Sequence, residues 1–255
     1  MKSKVKLLFF FLILFPFLTI FGCNGSVTNV EDVPGAPQLI ETPNDTSLVE
    51  IGIDAFTRQD QVDAENIQVD WRQGAGVFPD SFRIFRGVLN VANEKEFRLL
   101  AVVSSNNFNI LNNDTIFTFV DSDSILVDRR YFYYLTAVGV RGNESPPSDT
   151  LDYLLLQKPG NPGVIAKDPA RPQFSWTNVG VGNYVLKILE ANSDNRVWIS
   201  VVENSFGDIS TVQYNYDFKA VQDTLTKGIR YKWRVDAVGI ERNSGSESRW
   251  RDYLY

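Results

Sequence analysis

Histidine is absent from this 255-residue sequence, and cysteine occurs once, at Cys23. The missing histidine excludes imidazole general bases, Ser-His-Asp and Cys-His nucleophile pairs, and histidine metal ligands. A single cysteine excludes an intramolecular disulfide, a CxxC redox pair and a thiolate zinc site. What remains chemically open is carboxylate chemistry, a Ser-Lys pair or oxygen-ligated calcium. Positive charge is in short supply too. The formal net charge is −6, and removal of Lys2, Lys4 and Lys6 with an N-terminal leader takes it to −9. Such a chain is repelled by phosphates and anionic lipid, so no nucleic-acid partner is expected. A helical period is missing throughout. What is present is an ordinary globular composition, 44% hydrophobic and 22% charged, with 18 Phe and 10 Tyr, which suits strands.

The N-terminus reads as an export signal. Lys2, Lys4 and Lys6 precede a 15-residue apolar run from Leu7 to Phe21 that contains Pro16. A membrane-spanning helix needs about 20 residues, so the run fits a signal-peptide core better than an anchor. It ends Ile20-Phe21-Gly22-Cys23. These four residues resemble the lipobox of bacterial lipoproteins, with Phe21 bulkier than usual for its place. The resemblance implies lipid transfer to the Cys23 sulfur and cleavage after Gly22, leaving a membrane anchor at residue 23. Several acyl chains anchor stably where one is marginal. Asn24 lacks the inner-membrane retention signal of an Asp, which favours the outer membrane. The alternative is an uncleaved signal anchor with an incidental cysteine. Residues 23–35 then read as a flexible tether spanning roughly 20 Å.

The most repeated feature lies further on. Residues 130–154 (RYFYYLTAVGVRGNESPPSDTLDYL) and 230–254 (RYKWRVDAVGIERNSGSESRWRDYL) match at 10 of 25 positions without a gap. A repeat at that offset means two copies of one domain. In the first copy, alternating apolar residues predict strands at Val49–Ile53, Ile67–Trp71, Phe82–Phe85, Phe97–Val103, Ile116–Val120, Tyr131–Ala137 and Leu151–Leu155. Phe56–Asn66 reads as a polar loop carrying Asp60, Asp63 and Glu65, and residues 106–115 as a second loop. Short strands with turn signals between them argue an all-β sandwich. The order resembles a fibronectin type III domain. The residues that carry the likeness are Ala36-Pro37 at the entry, Trp71, Phe82–Arg86, Asp121, Tyr131-x-Tyr133-x-Leu135-x-Ala137 and Glu144–Ser148. The resemblance implies that Tyr131 is a tyrosine corner, its hydroxyl bonded to upstream backbone.

In the second copy Phe174–Trp176, Tyr184–Ile188, Val197–Val201, Val212–Phe218, Tyr231–Ala237 and Ser248–Tyr255 follow the same order. Residues 156–163 (LQKPGNPG) read as a short, stiff junction. The expected organisation is a leader at 1–22, a tether at 23–35, and fibronectin type III-like domains at 36–158 and 159–255. The chain stops one residue after the repeat, so no C-terminal anchor or catalytic domain is expected.

Candidate contacts follow from where the copies differ. Trp71, Trp176 and Trp233 fall in the inward phase of their strands and read as core. Trp198 aligns with Arg98 at an outward position, and Trp250 aligns with Thr150. These two are the candidate ligand or partner contacts, because exposed indoles stack on sugars and anchor proteins. The competing reading is an aromatic covering a sheet edge or the domain junction. Asp121-Ser122-Asp123 begins like a calcium loop but lacks the third acid and the glycine. Arg141-Gly142-Asn143 is a polar turn. No catalytic pair, metal site or cofactor is assigned. The expected function is a non-catalytic, lipid-anchored envelope protein acting as a protein-binding or spacer module. The alternative is a carbohydrate-binding accessory lipoprotein using Trp198 and Trp250.

Overall fold

The computed structural model describes residues 33–41, 65–111, 114–204 and 207–255. The leader, Cys23, the expected strand at Val49–Ile53 and residues 56–64 of the polar loop lie outside them. Among the described residues no helix is long and apolar enough to cross a membrane.

The chain is all-β. In the first sandwich, β1 (Gln38–Leu39), β2 (Ile67–Arg72), β6 (Asp114–Asp121) and β5 (Asn109–Leu111) form one sheet, in the order β1-β2-β6-β5. Facing it lie β3 (Ser81–Leu89), β4 (Lys95–Ser104), β7 (Arg130–Val138) and β8 (Leu151–Leu155). Alternation drives this arrangement. Ile67, Val69 and Trp71 point inward from β2, and Phe82 and Ile84 from β3, all fully buried. Trp71, Phe82 and Phe117 meet at ring separations of 4.7 to 5.8 Å, which fixes the spacing of the two sheets. Strand β5 falls within the segment expected to be a loop. Its Asn-rich sequence hid a short hairpin partner for β6.

The second sandwich repeats the plan. Strands β9 (Gly160–Ile165), β10 (Gln173–Thr177) and β13 (Ile209–Gln213) form one face, in the order β13-β10-β9. Strands β11 (Asn183–Glu190), β12 (Arg196–Glu203), β14 (Arg230–Val238), β15 (Ser244–Glu247) and β16 (Arg251–Leu254) form the other. Three expectations shift here. Strand β9 begins at Gly160, inside the predicted junction. It is an edge strand, where Pro162 lacks an N–H that the ladder does not need. Strand β13 ends at Gln213, because Asn215 and Phe218 adopt positive φ and turn the chain. The last strand is broken in two, with β15 on residues 236–238 and β16 on residues 230–233 of β14.

The two sandwiches share a sheet. Strand β15 pairs in parallel with β8, joining their halves into one nine-stranded sheet. The Leu154 amide donates to the Asn243 carbonyl (2.9 Å), and the Leu156 amide to the Gly245 carbonyl (3.0 Å). Ser246 Oγ donates to the Gln157 carbonyl (2.9 Å), and Arg242 pairs with Glu41 (3.0 Å). Arg130 bridges Asp152 of its own sandwich and Glu241 of the other.

The repeated residues hold the fold. In both copies the corner tyrosine hydroxyl accepts from upstream backbone, Leu126 N at 2.9 Å for Tyr131 and Thr226 N at 2.8 Å for Tyr231. Ser148 Oγ accepts from Leu135 N (2.9 Å) and Ser248 Oγ from Val235 N (3.0 Å), each pinning the segment that leads into the final strand, β8 or β16, to β7 or β14. Arg130 pairs with Asp152, and Arg230 with Asp252 (2.6 Å).

Candidate contact surface

Trp198 is not at the surface. Its side chain is fully buried in the second core, 5.4 Å from the Tyr214 ring, and Nε1 donates to Asp217 Oδ1 (2.8 Å). The outward position expected for Trp198 is therefore an inward one. Arg98 stands opposite Arg86, which stands opposite Tyr133; Trp198 stands opposite Ile188, which stands opposite Trp233. Residues 86, 133, 188 and 233 all point inward, so the register puts 98 and 198 on the core side of their strands, where Trp198 is buried while Arg98 stays exposed at the sheet edge and pairs with Asp123. The sequence misled because β12 is apolar on both faces. A bulge at Val197 then buries Val197 and Trp198 side by side.

The same inner position is built differently in the two copies. In the second sandwich Ile188, Trp198 and Trp233 make an apolar core. In the first it is ionic. Asp121, fully buried, accepts from Arg86 Nη1 at 3.0 and 2.8 Å, from the Tyr133 hydroxyl at 2.6 Å and from the Asp123 amide at 3.0 Å. Asp123 accepts in turn from Arg98 Nη2 (2.9 Å). Burial first, and then the Asp121 carboxylate, push the Tyr133 phenol far above its usual range. Burial opposes the charge on Arg86, but the Asp121 hydrogen bond and charge outweigh it and hold the guanidinium above its usual pKa. These two acids of the calcium-like loop are therefore occupied by arginine, tyrosine and backbone.

Trp250 sits between β15 and β16, half-buried. The Arg234 guanidinium carbon lies 4.6 Å and Lys232 Nζ 5.0 Å from its ring centroid. Below it Lys187, Arg234, Asp236 and Glu247 form a buried ion cluster, with Lys187–Asp236 at 2.9 Å and Arg234–Glu247 at 2.5 Å. Trp250 also lines a groove of about 890 Å³ with Lys158, residues 160–163, Arg249, Arg251 and Asp252. Trp198 and Trp250 therefore make no common platform. Neither the ion cluster nor the sheet pairing at the junction was legible in sequence. Alternation showed which residues of β14 face outward, but not that Lys187 and Glu247 join them from other strands.

The strand order, with β1, β2 and β6 facing β4, β3, β7 and β8, and its repetition in the second half, define the class. These are tandem immunoglobulin-like sandwiches of fibronectin type III-like form. No family model matches the sequence, and no curated protein matches it. Among solved structures, a two fibronectin type III domain segment from chicken tenascin aligns at 14% identity and a TM-score of 0.30. That alignment covers 87% of this chain and 98% of the other. The FN1–FN3 domains of chicken CNTN1 align at 17% identity and a TM-score of 0.29, covering 86% of this chain and 68% of theirs.

Proposed function

We propose that this chain is a non-catalytic lipoprotein of the bacterial cell envelope. It is anchored through acylated Cys23, with the outer membrane favoured, and acts as a rigid spacer or protein-binding module. The anchoring rests on the lipobox-like Ile20-Phe21-Gly22-Cys23, and the observation that carries the spacer reading is the β8–β15 pairing. A backbone ladder across the junction gives the pair of sandwiches one fixed geometry, which suits a support that holds a partner at a set distance. The chemistry agrees with it. The buried carboxylates at Asp121, Asp236 and Glu247 are each matched to a cation, as structural ion pairs are.

The test of anchoring is Cys23→Ala in the full chain. Membrane association and metabolic acyl labelling are both expected to disappear. If both persist unchanged, the lipoprotein reading is wrong. A glycan-binding role keeps one supporting observation, the Trp250 groove. Glycan-array binding that is lost on Trp250→Ala would favour it over the spacer reading, and a blank array would remove it.

A further inference from the structure

Strand β4 ends the nine-stranded sheet on the first sandwich, and β12 ends it on the second. These are equivalent strands, yet their free edges are treated differently. The β12 edge is closed by its own chain. The Tyr216 hydroxyl donates to the Val201 carbonyl (2.8 Å), and the Val221 amide to the Val197 carbonyl (2.9 Å). Among the described residues, no backbone group from Lys95 to Val103 bonds anything but β3. This open edge carries the uncharged, proline-free run Leu99–Ser104, with Leu99 51% and Val102 60% exposed. Its apolar residues continue onto the sheet. Leu99 stands opposite Phe85, whose ring stacks on Tyr134 at 4.6 Å, and Phe97 lies over Gly87, which has no Cβ to obstruct it. A long apolar strand with an open edge is a template for another strand.

We propose that this edge pairs with the same edge of a second copy of the chain, antiparallel and over the full length of β4. The strand is self-complementary in a way that depends on its bulge. An antiparallel pair about a two-fold axis places residues of matching face opposite each other. Full overlap sets Lys95 opposite the partner's Ser104, Phe97 opposite the partner's Val102 and Leu99 opposite the partner's Leu100. Positions 97 and 102 differ in parity and would face opposite ways on a regular strand. The bulge at Leu100 corrects the phase, so Phe97 and Val102 both lie on the outer face. Each dimer then gains two Phe–Val cross-strand pairs beside the Phe85–Tyr134 stack. No like charges meet. Lys95 and Glu96 fall opposite Ser104 and Val103 of the partner, and Arg98 is held by its own Asp123.

The test uses the full chain in detergent. In a Cys23→Ser background, Phe97→Cys with Val102→Cys places the two sulfurs five residues apart on one strand, too far to join within a chain. Oxidation is expected to give a doubly linked dimer. Val102→Lys is expected to weaken dimerisation at least about tenfold by light scattering, as burying an unpaired charge requires. Val140→Lys, at an exposed position off the sheet, is expected to leave it within about twofold. Equal unfolding midpoints for the two lysine variants show that the fold is intact. A monomer at all concentrations overturns the proposal. So does a dimer that survives Val102→Lys, or cross-linking of the cysteine pair to a different protein instead of a second copy.

Discussion

At the residue scale, the change from surface to core at position 198 has energetic consequences. Trp198 fills a fully buried site beside Tyr214 and bonds Asp217. Trp198→Ala should destabilise the protein by about 3 to 5 kcal/mol, with the loss visible in the urea midpoint. A surface anchor would cost under about 0.5 kcal/mol, so the measurement separates the two. Asp217 makes a pH prediction. Burial opposes its charge, but hydrogen bonds from Ser200, Trp198 and the Lys219 amide outweigh burial and hold its pKa below the usual carboxylate range. A depressed folded-state pKa contributes stability that is present above the unfolded value and lost as pH falls through the folded one. Stability should therefore fall on acidification below about pH 4, and Asp217→Asn should flatten that limb while lowering stability at neutral pH. Equal acid limbs for wild type and variant would show that Asp217 contributes nothing.

At the element scale, the repeat was legible because each shared residue does the same local job. A tyrosine at 131 and 231 reaches its own upstream backbone, and a serine at 148 and 248 pins the segment leading into the final strand to β7 or β14. Those contacts span only 5 or 13 positions, so sequence spacing carries them. What the spacing could not carry was phase. Outer rows on β4 and β12 are as apolar as inner ones, and a bulge in each shifts the register, so alternation alone could not say which way residue 198 points. The split of the last strand into β15 and β16 was hidden for a related reason. Gly245 and the small residues around it look like a turn, but they are the strand that meets β8. A Cβ at Gly245 would lie 2.7 Å from the Ala237 carbonyl oxygen, which is backbone and cannot yield. Gly245→Val should cost about 1 to 3 kcal/mol and loosen the junction, read as a lower thermal midpoint. An unchanged midpoint would mean that the close approach is not maintained in solution.

At the scale of the whole molecule, the junction holds more than the stiff linker expected from sequence, because the last strands of the two sandwiches also pair. Besides the Pro159 and Pro162 junction, the β8–β15 pairing and two ion pairs, Arg130–Glu241 and Arg242–Glu41, cross from one sandwich to the other. Spin labels at exposed Ala92 and Asn192, introduced as cysteines in a Cys23→Ala background, should give one narrow distance distribution. Gly245→Val should broaden it. A broad distribution in the unsubstituted chain would remove the rigid-spacer reading while leaving the anchoring reading standing.

The sequence by itself determined the all-β class, the duplication, the tyrosine corners and the three core tryptophans at 71, 176 and 233. The class, the duplication and the tryptophans rest on local periodicity or on a spacing repeated twice, and the tyrosine corners on the resemblance to fibronectin type III domains. Tertiary structure alone decided which way Trp198 points, that Asp121 is buried under Arg86, and that Lys187, Arg234, Asp236 and Glu247 form one buried cluster. It also decided that the two sandwiches share a sheet. Each of these depends on register between strands far apart in the chain. A shift of one residue inverts every side chain of a strand, and the pattern of a single strand cannot fix that shift when both of its faces are apolar.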